Sequence, residues 1–128
     1  MTYYSINEIS EMTNLSPSTL RYYEKEGLIP VIERDKNGVR VYNETNLECI
    51  QFIMVLRSTN MPIIDIKQYV KLFHQGEETI HHRKELIQSH KEKVEIEIAE
   101  RKKYLQRIEC TLDYYEAMER RSRRMKSS

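Results

Sequence analysis

Ser18, Arg21, Tyr22 and Lys25 lie within one short stretch, Leu15 to Pro30, and bring together a hydroxyl, a guanidinium, a phenol and an ammonium. Such groups donate to phosphate oxygens and to base edges, provided that one surface presents all four. A helix does so here. Ser16 can accept from the orphan amides as N-cap, Pro17 suits the first helical position, and Gly27 can take a left-handed C-terminal cap, giving a helix of about ten residues. If Leu20 faces inward, Tyr23, Glu24 and Gly27 lie near its side at about 100° per residue, while Ser18, Arg21, Tyr22 and Lys25 project outward. An ordinary amphipathic surface helix would show the same periodicity, so the flanking elements decide.

Upstream, Ser5 and Glu8 form a capping box and Ile6, Ile9 and Met12 share one side, which predicts a first helix over residues 5–13. Asn14-Leu15 then makes a tight turn. The pair reads as a helix-turn-helix whose second helix is placed for the major groove. Downstream, Val31-Ile32-Glu33-Arg34 and Val39-Arg40-Val41-Tyr42 flank Asp35-Lys36-Asn37-Gly38, where Asn-Gly supplies the positive φ of a hairpin turn. Alternation puts Arg40 and Tyr42 on one face and Val39 and Val41 on the other. A hairpin in this place is a wing that carries cations to phosphates beside the groove. Asn43 caps a third helix running to Thr59, with Leu47, Ile50, Ile53, Met54 and Leu56 or Arg57 alternating between core and surface, and Asn60 ends it. Pro62 opens a fourth helix with Ile63, Ile66, Tyr69, Val70 and Phe73 as its buried stripe, closed by Gly76.

The expected fold class is therefore mainly α: a winged helix-turn-helix head over residues 1–75, made of four helices and a β-hairpin, and then a long helix over 76–120. The chain has 128 residues, 32% charged and 39% hydrophobic, with only 3 Gly and 3 Pro, which suits helices and a thin core. Net charge is +1, and residues 1–75 carry eight Lys/Arg against nine Asp/Glu. Any affinity for nucleic acid must come from where the cations stand. Glu77 to Arg120 contains neither Gly nor Pro, and as 44 residues of helix it would extend about 66 Å. In heptad notation Ile80, Ile87, Val94, Arg101, Ile108 and Tyr115 occupy d; Lys84, Lys91, Ile98, Leu105 and Leu112 occupy a. Leaving such apolar side chains in water costs about 1.5–3 kcal/mol apiece, so a homodimer through Ile87, Val94, Ile98, Leu105, Ile108, Leu112 and Tyr115 is expected. Lys84, Lys91 and Arg101 weaken that seam but fix its register. Residues 121–128 read as a basic, disordered tail, with a phosphate-binding arm as the alternative.

Other function classes find little support. Cys49 and Cys110 stand far apart without paired-ligand spacing, and His74, His81, His82 and His90 contain no i, i+4 pair, so no metal is expected and the histidines read as solvated surface groups. A Gly-rich phosphate loop and a nucleophile with its base are both missing, which argues against an enzyme and against a cofactor. No apolar run approaches the roughly 18 residues of a membrane span and no signal segment opens the chain, so a cytoplasmic location without membrane contact is expected.

Tyr4-Ser5-Ile6 to Met12, Leu15-Ser16-Pro17, Leu20-Arg21-Tyr22-Tyr23-Glu24, Gly27-Leu28, the Gly38 to Tyr42 wing and the long last helix occur in an order that resembles the mercury-resistance regulator (MerR) family of bacterial transcription factors. The resemblance spans nearly the whole chain and is most specific in the first 75 residues. It implies a homodimer joined by an antiparallel coiled coil, each head on half of a palindromic promoter. Promoter DNA would be bent and untwisted in response to an effector, unidentified from the sequence, and RNA polymerase would be engaged indirectly through that DNA. It also implies that Arg21, Tyr22 and Tyr23 contact DNA from the helix and Arg40 and Tyr42 from the wing. Exposure and charge add Thr19, Lys25, Arg34 and Arg57. Tyr23 equally fits a core aromatic beside Leu20.

Val39 departs from the aromatic often found in the family's wing, and Asn60 stands where a Gly usually ends the third helix; Asn tolerates the left-handed conformation. Phe52 to Ile63 and Arg83-Lys84-Glu85-Leu86 are similar to a subgroup that answers reactive aldehydes or thiol stress, in which a cysteine of the third helix is implicated as sensor. Cys49 lies in that helix, with Val55 as the other candidate for the position and a buried inert thiol as the alternative reading. The competing function is a coiled-coil interaction adaptor whose winged head docks on protein.

Overall fold

The computed structural model describes residues 2–127. In chain order they form β1 (Tyr3–Tyr4), α1 (Ile6–Thr13), α2 (Pro17–Lys25), β2 (Glu33–Arg34), β3 (Arg40–Asn43), α3 (Glu44–Ser58), α4 (Ile63–Gln75), a 3-10 turn (Glu77–Thr79) and α5 (Ile80–Ser127). The chain divides into two units, one ending at Gln88 and the other beginning at Ser89.

In the first unit short polar side chains start and stop the helices. Ser5 Oγ accepts from the Glu8 amide at 3.1 Å and Glu8 Oε1 accepts from the Ser5 amide at 3.0 Å, which is the capping box of α1. Asn43 and Asn46 bond each other's amides in the same reciprocal way at the start of α3. Asn14 and Asn60 take left-handed φ values of 61° and 64°, ending α1 and α3 as a glycine would. Packed between these helices is one apolar core that includes Ile9, Leu20, Ile29, Ile50, Ile53 and Ile66, each at most 1% exposed.

Several positions depart from the sequence reading, each for a local reason. The wing has a third strand: β1 pairs antiparallel with β3, Tyr3 opposite Asn43 and Tyr4 opposite Tyr42, so the sheet order is β1-β3-β2. Two tyrosines in succession favour an extended pairing that a search for hairpins passes over. On α1, Met12 is exposed and Thr13 buried instead, because the Thr13 hydroxyl satisfies itself by donating to the Ile9 carbonyl at 2.7 Å. On α4, Ile63 is exposed and Leu72 buried. Pro62 is the N-cap, so Ile63 begins the helix, while Thr79 covers the far end by donating from Oγ1 to the Leu72 carbonyl at 2.7 Å. Arg83 secures this return with Nε on the Thr79 hydroxyl and its guanidinium over the Phe73 ring.

The long helix also differs. Leu86 and Ile87 pack, partly buried, against the core of the first unit, which runs on past residue 75. At the other end α5 continues through Ser127, which corrects the expectation of a disordered tail over 121–127; Ser128 lies outside the described residues. Arg, Lys and Met are good helix formers, and cations suit the negative end of the helix dipole. No described helix is long and apolar enough to cross a membrane.

Ile66 and Ile64 sit two residues apart on α4, the first fully buried and the second 76% exposed. Ile66→Ala should lower the unfolding free energy by about 2–5 kcal/mol and Ile64→Ala by no more than about 0.5 kcal/mol, measured by urea denaturation. Equal losses would contradict this placement of α4.

Candidate nucleic-acid interface

The α2 helix carries the candidate contacts, and its ends are fixed by the residues that the sequence marks. Ser16 Oγ accepts from the Thr19 amide at 3.1 Å and its hydroxyl donates to Thr19 Oγ1 at 2.9 Å, with Pro17 opening the helix and Gly27 at φ 74° beyond it. Leu20 is fully buried. The opposite face presents Ser18, Arg21, Tyr22 and Lys25 to solvent, as the 100° periodicity requires. Thr19 is half-buried and its hydroxyl is engaged in the cap, which leaves it less able to reach a ligand.

Tyr23 has two neighbours that settle its place. It packs at the edge of the core, and Arg57 from α3 lies over its ring with the guanidinium carbon 5.1 Å from the centroid. Tyr23 thus takes the place beside the core that the sequence allowed, with part of its side chain still open to solvent. Leu15, Tyr23, Met54, Arg57 and Ser58 line a cavity of about 310 Å³ there, so Arg57 stands beside α2 although α3 carries it.

The wing turn is built by Asp35, whose carboxylate accepts from the amides of Asn37 and Val39 at 2.8 and 3.0 Å. Arg34 donates from a terminal nitrogen to the Gly38 carbonyl at 3.0 Å and is otherwise exposed at the hairpin. Arg40 faces α2, where its Nε donates to Glu24 Oε1 at 2.8 Å with both side chains largely shielded from water. The other Glu24 oxygen accepts from the Ile32 amide at 3.3 Å. One carboxylate thus joins α2, the approach to the wing and β3. Sequence reasoning placed Glu24 near the inward side of α2 without giving it a task. The signal was available, since a carboxylate on an inward face requires a cation, and Arg40 shares its strand face with a core aromatic.

That aromatic is Tyr42, and it corrects the expectation of a wing contact. Its side chain is fully buried, and among the described residues its hydroxyl finds no hydrogen-bond partner. Burial pushes its phenol above the ordinary range, only partly offset by Arg40, so the group is neutral and faces inward. Tyr42 is a core residue of the sheet. Cys49 is buried in α3, and burial raises its thiol to about 11. Such burial favours the protonated thiol at neutral pH and fits the inert alternative better than an exposed thiolate. Among the described residues no group of three His, Cys, Asp or Glu side chains is placed to hold a metal ion.

Residues 4–72 match the family model described as MerR helix-turn-helix family regulatory protein. An uncharacterised helix-turn-helix-type transcriptional regulator of Haemophilus influenzae is 34% identical over 113 residues, 88% of this chain and 84% of that protein. Among solved structures, HiNmlR, a MerR family regulator lacking the sensor domain and bound to promoter DNA, is 33% identical with a TM-score of 0.80, covering 90% of this chain and 91% of that one. A MerR family regulator from Listeria monocytogenes is 34% identical with a TM-score of 0.83, over 88% and 86%.

The two cysteines should separate under iodoacetamide at about pH 8, where an ordinary thiol is partly ionised. Exposed Cys110 should be labelled and buried Cys49 spared until urea unfolds the chain, as read by peptide mass spectrometry. Labelling of Cys49 in the folded protein would contradict its assignment as inert.

Proposed function

The chain belongs to the MerR family of helix-turn-helix regulators, and from that premise we propose that it works as a homodimer which grips a palindromic promoter and reshapes it. It is a DNA-binding transcriptional regulator. The observation that carries this reading is the exposed row of Ser18, Arg21, Tyr22 and Lys25 on α2, with Arg57 on one flank and a wing fastened to the same helix on the other. Arg21 and Tyr22 serve the major groove, and Arg34 and the outer nitrogens of Arg40 serve phosphates beside it.

Two such heads on one duplex can spend binding energy on deformation. Bending a site of this scale costs about 1–6 kcal/mol, which many phosphate contacts can offset. An effector or stress then has only to favour the distorting conformer over the resting one, and RNA polymerase responds to the altered promoter spacing. The task is regulation and not catalysis, and a cytoplasmic location goes with promoter DNA as the partner.

Gel-shift titration against the DNA upstream of its own gene tests the proposal. The protein should bind an inverted repeat with affinity that falls steeply as salt rises, and Arg21→Ala should cost about 1–3 kcal/mol of binding without unfolding the head. Absent or salt-insensitive binding would favour a protein-docking adaptor instead.

A further inference from the structure

A cavity of about 390 Å³ opens where α2, the chain ahead of β2 and α4 meet. Its floor is apolar, made by Ile29 and Val70, 1% and 3% exposed, with Val31 beside them. Gly27 leaves one wall open, since a Cβ built there would meet no atom within 4 Å. The volume is at the small end of ligand sites, and an apolar floor with a few polar groups around it is how such sites hold small molecules. None of Ser18, Arg21, Tyr22 and Lys25 lines the cavity, so a ligand there does not occupy the row proposed for DNA.

The rim narrows the chemistry of that ligand. Lys67 and Lys71 stand one turn apart on α4 and share one side of the helix. Lys67 has Glu26 at 4.0 Å, the outer limit of an ion pair, whereas Lys71 has no such partner among the described residues. His74 follows on the next turn, where its Nε2 accepts from the Val31 amide at 3.2 Å, which leaves Nδ1 to carry the ring proton as a donor. Of the two carboxylates, Glu24 is already satisfied by Arg40 and the Ile32 amide, and Glu26 is set against Lys67. The rim therefore lacks an acceptor for Lys71. A single negative charge on an apolar body answers both rim and floor, while a phosphate dianion would meet the Glu24 and Glu26 charges and leave the floor unused.

We infer that this cavity binds a small carboxylic acid with a branched or aromatic body, its carboxylate on Lys71 and Lys67 and its body on Ile29, Val31 and Val70. The residues around it also hold the wing in place: Glu24 bonds Arg40 of β3, and His74 bonds Val31 ahead of β2. An acid seated among them favours one placement of the wing against α2, and through it one conformer on DNA. The binding site stands by itself; its role as the effector site rests on the regulator reading above.

Titration of the isotope-labelled full-length chain with sodium benzoate and, separately, sodium isovalerate, followed amide by amide by NMR at constant ionic strength, tests the site. At least one probe should give saturable shifts at the Gly27, Val31, Lys71 and His74 amides. Lys71→Gln should weaken its binding by about tenfold or more, and Lys71→Arg should restore most of the affinity. Saturation by neither probe, or equal affinity in Lys71→Gln, would overturn the site; neutral benzamide or inorganic phosphate binding as tightly as the acids would overturn the ligand class. Promoter affinity, read by fluorescence anisotropy, tests the effector role. Saturating probe should change it by about fivefold or more in the unsubstituted chain and leave it unchanged in Lys71→Gln. An unchanged affinity in both would overturn that role and leave the site, whereas a chain that binds the probe but no promoter DNA would overturn the regulator reading instead.

Discussion

The Glu24 carboxylate, held between the Arg40 guanidinium on β3 and the Ile32 amide ahead of β2, is the contact on which the proposed DNA-binding surface depends. A helix nine residues long and strands of two and four residues have little stability of their own. Their mutual position has to be imposed. Leu20 and Tyr42 anchor helix and sheet from inside the core, and Glu24 ties the two at the boundary with solvent, where an ion pair is shielded enough to hold a geometry. The same constraint explains why the near-neutral charge of the head is no obstacle to binding an anionic duplex. Some cations there serve packing, such as Arg40 on Glu24, while Arg21 and Lys25 remain outward.

Much of this was legible in the sequence because the signals are local. Ser16-Pro17 and Gly27 bound α2, Ser5 and Glu8 bound α1, and Asn-Gly marks the hairpin; each acts through atoms a few residues away. The features that escaped are the non-local ones. Pairing of β1 with β3 joins residues forty positions apart, and the Glu24–Arg40 contact joins two elements that periodicity treats separately. Tyr42 shows the limit most clearly. Alternation correctly set it on the same strand face as Arg40, but that face turns out to be the inner one, and an aromatic that could have served DNA became core.

The long helix shows a different division. Its persistence to Ser127 follows from composition alone, since nothing in it breaks a helix, whereas its role depends on which apolar residues are covered. Ile87 is covered within its own unit, while the row from Ile98 to Tyr115 is not. The proposed homodimer would satisfy two needs at once: it would bury that row, and it would double the number of heads that share the cost of deforming one promoter. Cys49 packs in the core of the first unit.

The most direct test of the account is a double-mutant cycle on promoter affinity with Glu24→Ala and Arg40→Ala, read by fluorescence anisotropy at fixed salt. If Glu24 acts by holding the wing on α2, its removal should weaken binding by about tenfold, or ~1.4 kcal/mol, in the otherwise unaltered chain and have little further effect once Arg40 is gone. An identical loss in both backgrounds, or tighter binding on removing the negative charge, would contradict the account.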